Sequence, residues 1–130
     1  MATAPAYAAT PVGAAVQIAT ANANRNGTGT LGTVLTGVST GTRVDDIYIR
    51  ATVTTTAGTV RFFVSFDGGT NKYLLLEVAV PANTVSATNP AWSYALTNLG
   101  WTLPNTSAIL YASTEKAEAI NILVMRAGSF

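Results

Sequence analysis

The sequence contains neither cysteine nor histidine. The first absence excludes disulfides, iron–sulfur clusters, thiolate zinc sites and thiol nucleophiles. The second removes the commonest metal ligand and the usual general base at neutral pH. Charge is scarce as well. Seven Lys and Arg face six Asp and Glu in 130 residues, or 10% charged, against a norm of about 25%. A net charge of +1 offers no footprint for phosphate backbones, so nucleic acid is not expected as a partner. No apolar run approaches the ~18 residues of a transmembrane helix, and no membrane partner is expected. The N-terminus lacks a basic region followed by an apolar run, so no signal peptide is expected and the chain is read as made and kept in the cytoplasm.

What is present is a chain 48% hydrophobic, rich in alanine and threonine. That is the reverse of a disordered composition, and its length suits one domain. Charged side chains normally keep monomers apart and discourage sheet edges from pairing. A domain with so few must cover itself with Thr, Ser and Asn or bury surface against partners.

Residues 1–13 carry Pro5 and Pro11 and no steady period, which excludes a helix and predicts an extended arm. Such an arm either stays unordered or orders on a neighbouring subunit. From Ala14 onward the alternation is that of β-strands. Val16 and Ile18 alternate with Gln17 and Ala19; Ile47, Ile49, Ala51 and Val53 alternate with Asp46, Tyr48, Arg50 and Thr52. Around Gly58 a hairpin turn with positive φ is expected. Val60, Phe62, Val64 and Phe66 then face away from Arg61, Phe63 and Ser65. Lys72 to Val80 is nearly continuously apolar, as expected of a strand covered on both faces. Shorter strands follow near 92–96, 101–103, 107–113 and 119–126. About eight strands, 8–16 residues apart by roughly even spacing, predict an all-β, two-sheet antiparallel sandwich over residues 14–130. Jelly roll is the leading topology and an immunoglobulin-like sandwich the second.

Chemical motifs are few. Gly27-Thr28-Gly29-Thr30-Leu31-Gly32 fits G-x-G-x-x-G, but the β-branched, Gly-interrupted residues after it cannot open the helix a dinucleotide needs, so no cofactor is expected. Asp45 and Asp46 are adjacent, and in a regular strand they would point to opposite faces, so partnership with arginine is preferred over calcium. Asp67-Gly68-Gly69 reads as a turn. No histidine activates a serine, no G-x-S-x-G elbow exists, and the acids are too few for a credible glycosidase pair. The chain is read as non-enzymatic, with no catalytic, cofactor or metal residues. Trp92, Tyr94 and Trp101 cluster within ten positions. Such rings serve as core, as interface anchors or as sugar platforms. Together with Tyr7 in the arm and Phe130 at the C-terminus, they are the candidate interface residues.

Three strings carry a family resemblance: Arg25-Asn26-Gly27-Thr28-Gly29-Thr30, Ala51-Thr52-Val53-Thr54-Thr55-Thr56-Ala57-Gly58-Thr59-Val60-Arg61, and Leu110-Tyr111-Ala112-Ser113-Thr114-Glu115-Lys116-Ala117-Glu118. Over roughly residues 20–128 the chain resembles small all-β proteins from the structural modules of tailed bacteriophages, encoded near the major capsid gene. The resemblance implies a virion component, and best fits a jelly-roll decoration (cement) protein on the capsid surface. Its expected partners are the major capsid protein and two further copies of itself in a homotrimer. Two alternatives are a tail or fibre-base component and a carbohydrate-binding β-sandwich module.

Overall fold

A computed structural model describes residues 9–130. Among these residues every regular element is a strand: β1 (Thr10–Ile18), β2 (Gly32–Thr36), β3 (Thr42–Ala51), β4 (Gly58–Ser65), β5 (Tyr73–Val80), β6 (Ser93–Leu96), β7 (Trp101–Leu103), β8 (Ile109–Thr114) and β9 (Ile120–Ser129). They form two antiparallel sheets. In the first, β1, β9 and β3 are neighbours, and the free side of β3 is shared by β6 and β7. In the second the order is β2-β8-β4-β5. The expected two-sheet sandwich is therefore the observed fold, with the chain crossing repeatedly between sheets.

Alternation explains the core. Ile47, Ile49 and Ala51 of β3 and Ile120, Ile122 and Val124 of β9 meet Val60, Phe62, Leu110 and Ala112 of the second sheet, all buried. Each large side chain contributes about 1.5–3 kcal/mol by leaving water. An exposed ion pair contributes ~0–1 kcal/mol, so the apolar core dominates the stability of the fold.

Four details depart from the pattern read in sequence. First, residues 10–13 of the expected arm belong to β1, which pairs with β9 from Thr10 opposite Ser129; residues 1–8, including Tyr7, lie outside the described residues. Second, β3 and β4 are not a hairpin. They lie in different sheets, and Gly58 does not take a positive φ. Its missing side chain instead admits Lys116 and Glu115, which an added Cβ would meet at 3.1 and 3.3 Å. Third, β5 is not covered on both faces. Among the described residues it pairs with β4 alone, and only Val78 and Val80 of its side chains are buried. Fourth, the pairing of β3 with β9 shifts register around Asp46, so alternation fails there and both Asp45 and Asp46 reach the Arg126 side of the sheet.

Candidate interaction surface

One long side of the sandwich is closed by the approach of β1 to β2. The other lies between β5 and the short strands β6 and β7, each paired with β3, and this side is open. Two apolar depressions meet along it. One, of about 170 Å³, is lined by Val44, Val64, Phe66, Leu75, Trp101, Leu103 and Leu110, with Thr102 at its rim. The second, of about 240 Å³, runs from Leu76 and Val78 across to Tyr94 and Leu96. Leu75 lines one and Leu76 the other because β5 carries an extra residue here: Phe62 faces Leu76, while Phe63 faces Leu74. That bulge breaks the alternation of β5 and leaves Leu75 39% exposed. Phe66, 55% exposed, lines the first depression, and Tyr73, at 61%, begins β5 opposite Val64.

Three of the five residues singled out in sequence come together on this side. Trp92 packs against the core and stacks on Tyr94, with ring centroids 6.4 Å apart and planes 12° from parallel. Tyr94 is half exposed at the mouth of the second depression. Trp101 meets Phe62 edge-on at 6.2 Å, so one face of its indole is core and the rest lines the first depression. Trp101 enters β7 directly after two left-handed residues, Asn98 (φ 54°) and Gly100 (φ 64°), which return the chain to β3 after β6. Phe130 is elsewhere. Its N–H donates to the Gly41 carbonyl at 3.0 Å and its ring lies beside Gly41 at one end of the sandwich. Tyr7 falls outside the described residues.

Sequence reasoning missed Phe66, Tyr73 and Leu75. Tyr73 and Leu75 belong to the apolar run assigned to a doubly covered strand. The available signal was the pair of residues bracketing that run, Lys72 and Pro81, since lysine and proline commonly mark a sheet edge.

The few charges are largely paired with one another. Arg126 donates from Nε and Nη2 to Asp46 at 2.9 and 3.0 Å, and Arg43 holds Asp45 at 2.8 Å. The Arg126 hydrogen bond, helped by the Asn98 N–H, keeps the Asp46 carboxyl below the usual carboxylate range; Asp46 in turn raises Arg126. Arg25 and Arg61 share Glu77, and Arg61 also reaches Glu115 at 3.4 Å. The Arg25 bond and, less strongly, Arg61 lower Glu77. Asp67 is held at about 2 by the Asn71 backbone N–H, the Asn71 side-chain amide and the Ser65 hydroxyl. What remains facing outward on the open side is uncharged and apolar, apart from Glu77.

Among the described residues, no three Asp or Glu are grouped to hold a metal ion. Asp45 and Asp46, the pair considered for calcium, are each met by an arginine. The chain matches no known protein family, and no curated protein is significantly similar to it.

Proposed function

We propose that this chain is a non-enzymatic virion structural protein, a capsid decoration protein that binds the outer surface of a phage head and stabilises contacts between major capsid subunits. The observation that carries the reading is the open side of the sandwich, where an unpaired strand edge and two apolar depressions stand exposed together. Isolated exposed apolar residues need no explanation, but a contiguous set beside a free edge is a docking feature. Uncharged contacts suit a part that is repeated many times over one shell. Each copy needs only modest affinity, and linked copies raise occupancy through effective concentration. A homotrimer is part of this proposal.

The finer topology belongs to it as well. With β6 and β7 counted as one interrupted strand, the first strand pairs with the last, the second with the next to last, the third with the sixth, and the fourth with the fifth. That is the pattern of an antiparallel ribbon rolled onto itself, and we infer a jelly roll.

The test is attachment of the purified chain to empty phage heads assembled from major capsid protein. Sedimentation with heads is expected for the natural chain, and its loss in the double variant Phe66→Lys/Leu75→Lys. Co-purification with tails instead of heads would overturn the capsid reading. Equal attachment by the double variant would overturn the role of the open side. The sugar-module reading predicts glycan binding that disappears in Trp92→Ala or Trp101→Ala. Both indoles pack partly against the core, which leaves them little free face for a sugar ring.

A further inference from the structure

The outer face of the second sheet carries a feature that the docking proposal does not use. Arg61 is 1% exposed and Phe63 is fully buried, yet alternation along β4 turns both away from the space between the sheets. Phe63 accordingly does not belong to the inter-sheet core. What covers them is the segment joining β1 to β2, residues 19–31. The Asn22 N–H donates to the Thr114 carbonyl at the end of β8. Farther along, Arg25 pairs with Glu77 of β5, and Gly27 lies so close to Lys72 that an added Cβ would come within 2.5 Å of its carbonyl oxygen. Since β4 lies between β8 and β5, a chain anchored on both of them crosses β4. The segment is braced internally, for the Asn22 side-chain amide donates to the carbonyls of Thr28 and Thr30 at 3.0 and 2.9 Å.

Four charges meet beneath and beside this crossing. Arg25 comes from the strap, Arg61 from β4, Glu77 from β5 and Glu115 from the turn after β8. The other charged groups nearby are turned to different partners. Lys72 donates to the Gly69 carbonyl at 2.8 Å and lies over the Tyr111 ring, while the Lys116 side chain packs beside Gly58. Arg61 is poorly satisfied even so: both of its carboxylate contacts are 3.4 Å long, and its Nη1 has no partner, nor has the hydroxyl of Ser113 directly across the ladder. A buried guanidinium is tolerated only while counter-charges face it; removing them favours any rearrangement that admits water.

We propose that residues 19–31 form a strap latched over the second sheet by the Arg25–Glu77–Arg61–Glu115 cluster, which opens when those carboxylates are neutralised and uncovers the surface around Phe63 and Tyr111. The sign follows from the cluster. The carboxylates are ionised and the strap closed at neutral pH. As pH falls and Glu77 takes up a proton, Arg61 loses a counter-charge and hydration through an open strap becomes favourable. With Glu77 held below the ordinary carboxylate range by its Arg25 and Arg61 partners, opening belongs on the acid side of that range. The strap meets the open side of the sandwich only at Glu77, which also lines the second depression; exchange in the free chain reads the latch without any capsid, so it stands or falls independently of attachment.

Hydrogen-exchange protection, corrected for intrinsic rates, tests this on the full chain. Between pH 7 and pH 3 the amides of residues 22–31 are expected to lose at least about ten-fold in protection while Ile120, Ile122 and Val124 keep theirs. Glu77→Gln is expected to produce the same local loss at pH 7. In Arg61→Met, which has no buried cation to neutralise, the strap is expected to stay protected at both pH values. Strap protection independent of pH, strap and β9 losing protection together, or undiminished acid opening in Arg61→Met would each overturn the latch. Should Glu77→Gln fail to fold, the comparison of the natural chain at the two pH values decides alone.

Discussion

Asp67 shows how much a single turn residue is asked to do. Its carboxylate accepts the Asn71 backbone N–H at 3.0 Å, the Asn71 side-chain amide at 2.8 Å and the Ser65 hydroxyl at 2.8 Å. These bonds hold it at about 2, below the ordinary value near 3.9. A depressed carboxyl stabilises the fold above its unfolded value, and that contribution is lost as pH falls through the folded one. Asp67→Asn should therefore lower the thermal midpoint at pH 7, with the gap to the natural chain closing between about pH 4 and pH 2. A gap that stays constant with pH would mean the charge is not the cause. Glycine offers a second comparison at this scale. Gly27 and Gly68 both have left-handed backbones, φ 80° and 76°, but a Cβ at Gly68 meets open space while one at Gly27 meets Lys72. Gly68→Ala should cost only the backbone term of about 1–2 kcal/mol. Gly27→Ala should cost more, and urea unfolding of the pair isolates the close approach of the strap. Both turns were legible from Asn, Gly and Asp in sequence; the contact between them was not.

Among the elements, β5 is the one whose role reversed. Eight consecutive residues, seven of them apolar, describe a buried central strand as well as they describe an edge with one face on the core. Tertiary pairing decides between these, and β5 pairs on one side only among the described residues. Tyr73→Lys should leave stability within about 0.5 kcal/mol, as surface substitutions do. Val78→Lys, at a buried position, should cost several kcal/mol and abolish a cooperative transition at moderate urea. Were β5 covered on both faces, the two variants would be equally damaging. β3 is the complementary case. Its clean alternation located Ile47, Ile49 and Ala51 inside, but Val53 lies beyond the end of the strand and is exposed, and at Asp45 and Asp46 a register shift adds a residue that no hydropathy pattern announces.

At the level of the whole molecule, the order of pairing is almost entirely non-local. The first strand lies against the last, and the last is also the central partner of β3. Loop closure of nearly the full chain must precede those contacts, so refolding is expected in the millisecond-to-second range of β-sandwiches rather than in microseconds. Stopped-flow fluorescence of Trp92 and Trp101 measures it directly. If the proposed trimer forms in solution, light scattering should give about 40 kDa, three times the 13.4 kDa of one chain; a mass of one chain would confine any trimer to the capsid surface. The scarcity of charge also takes its meaning at this scale. Eight of the thirteen charged residues pair with one another in two clusters, so apart from Glu77 the open side between β5 and β6 is left to apolar and hydroxyl-bearing side chains.

The sequence by itself determined the class of fold and most of the inward set, Val53 and Phe66 excepted. Period-two alternation, turn residues and the lack of any helical stripe are local properties, and local sterics and solvation suffice to express them. It also placed Trp92, Tyr94 and Trp101 among the candidates, although not on a common side. Only the tertiary structure decided that β5 is an edge, that residues 19–31 cross β4, and that Arg61 and Phe63 are buried outside the core. These depend on which distant strands become neighbours, and an alternating pattern names the face a residue takes without naming what will cover it.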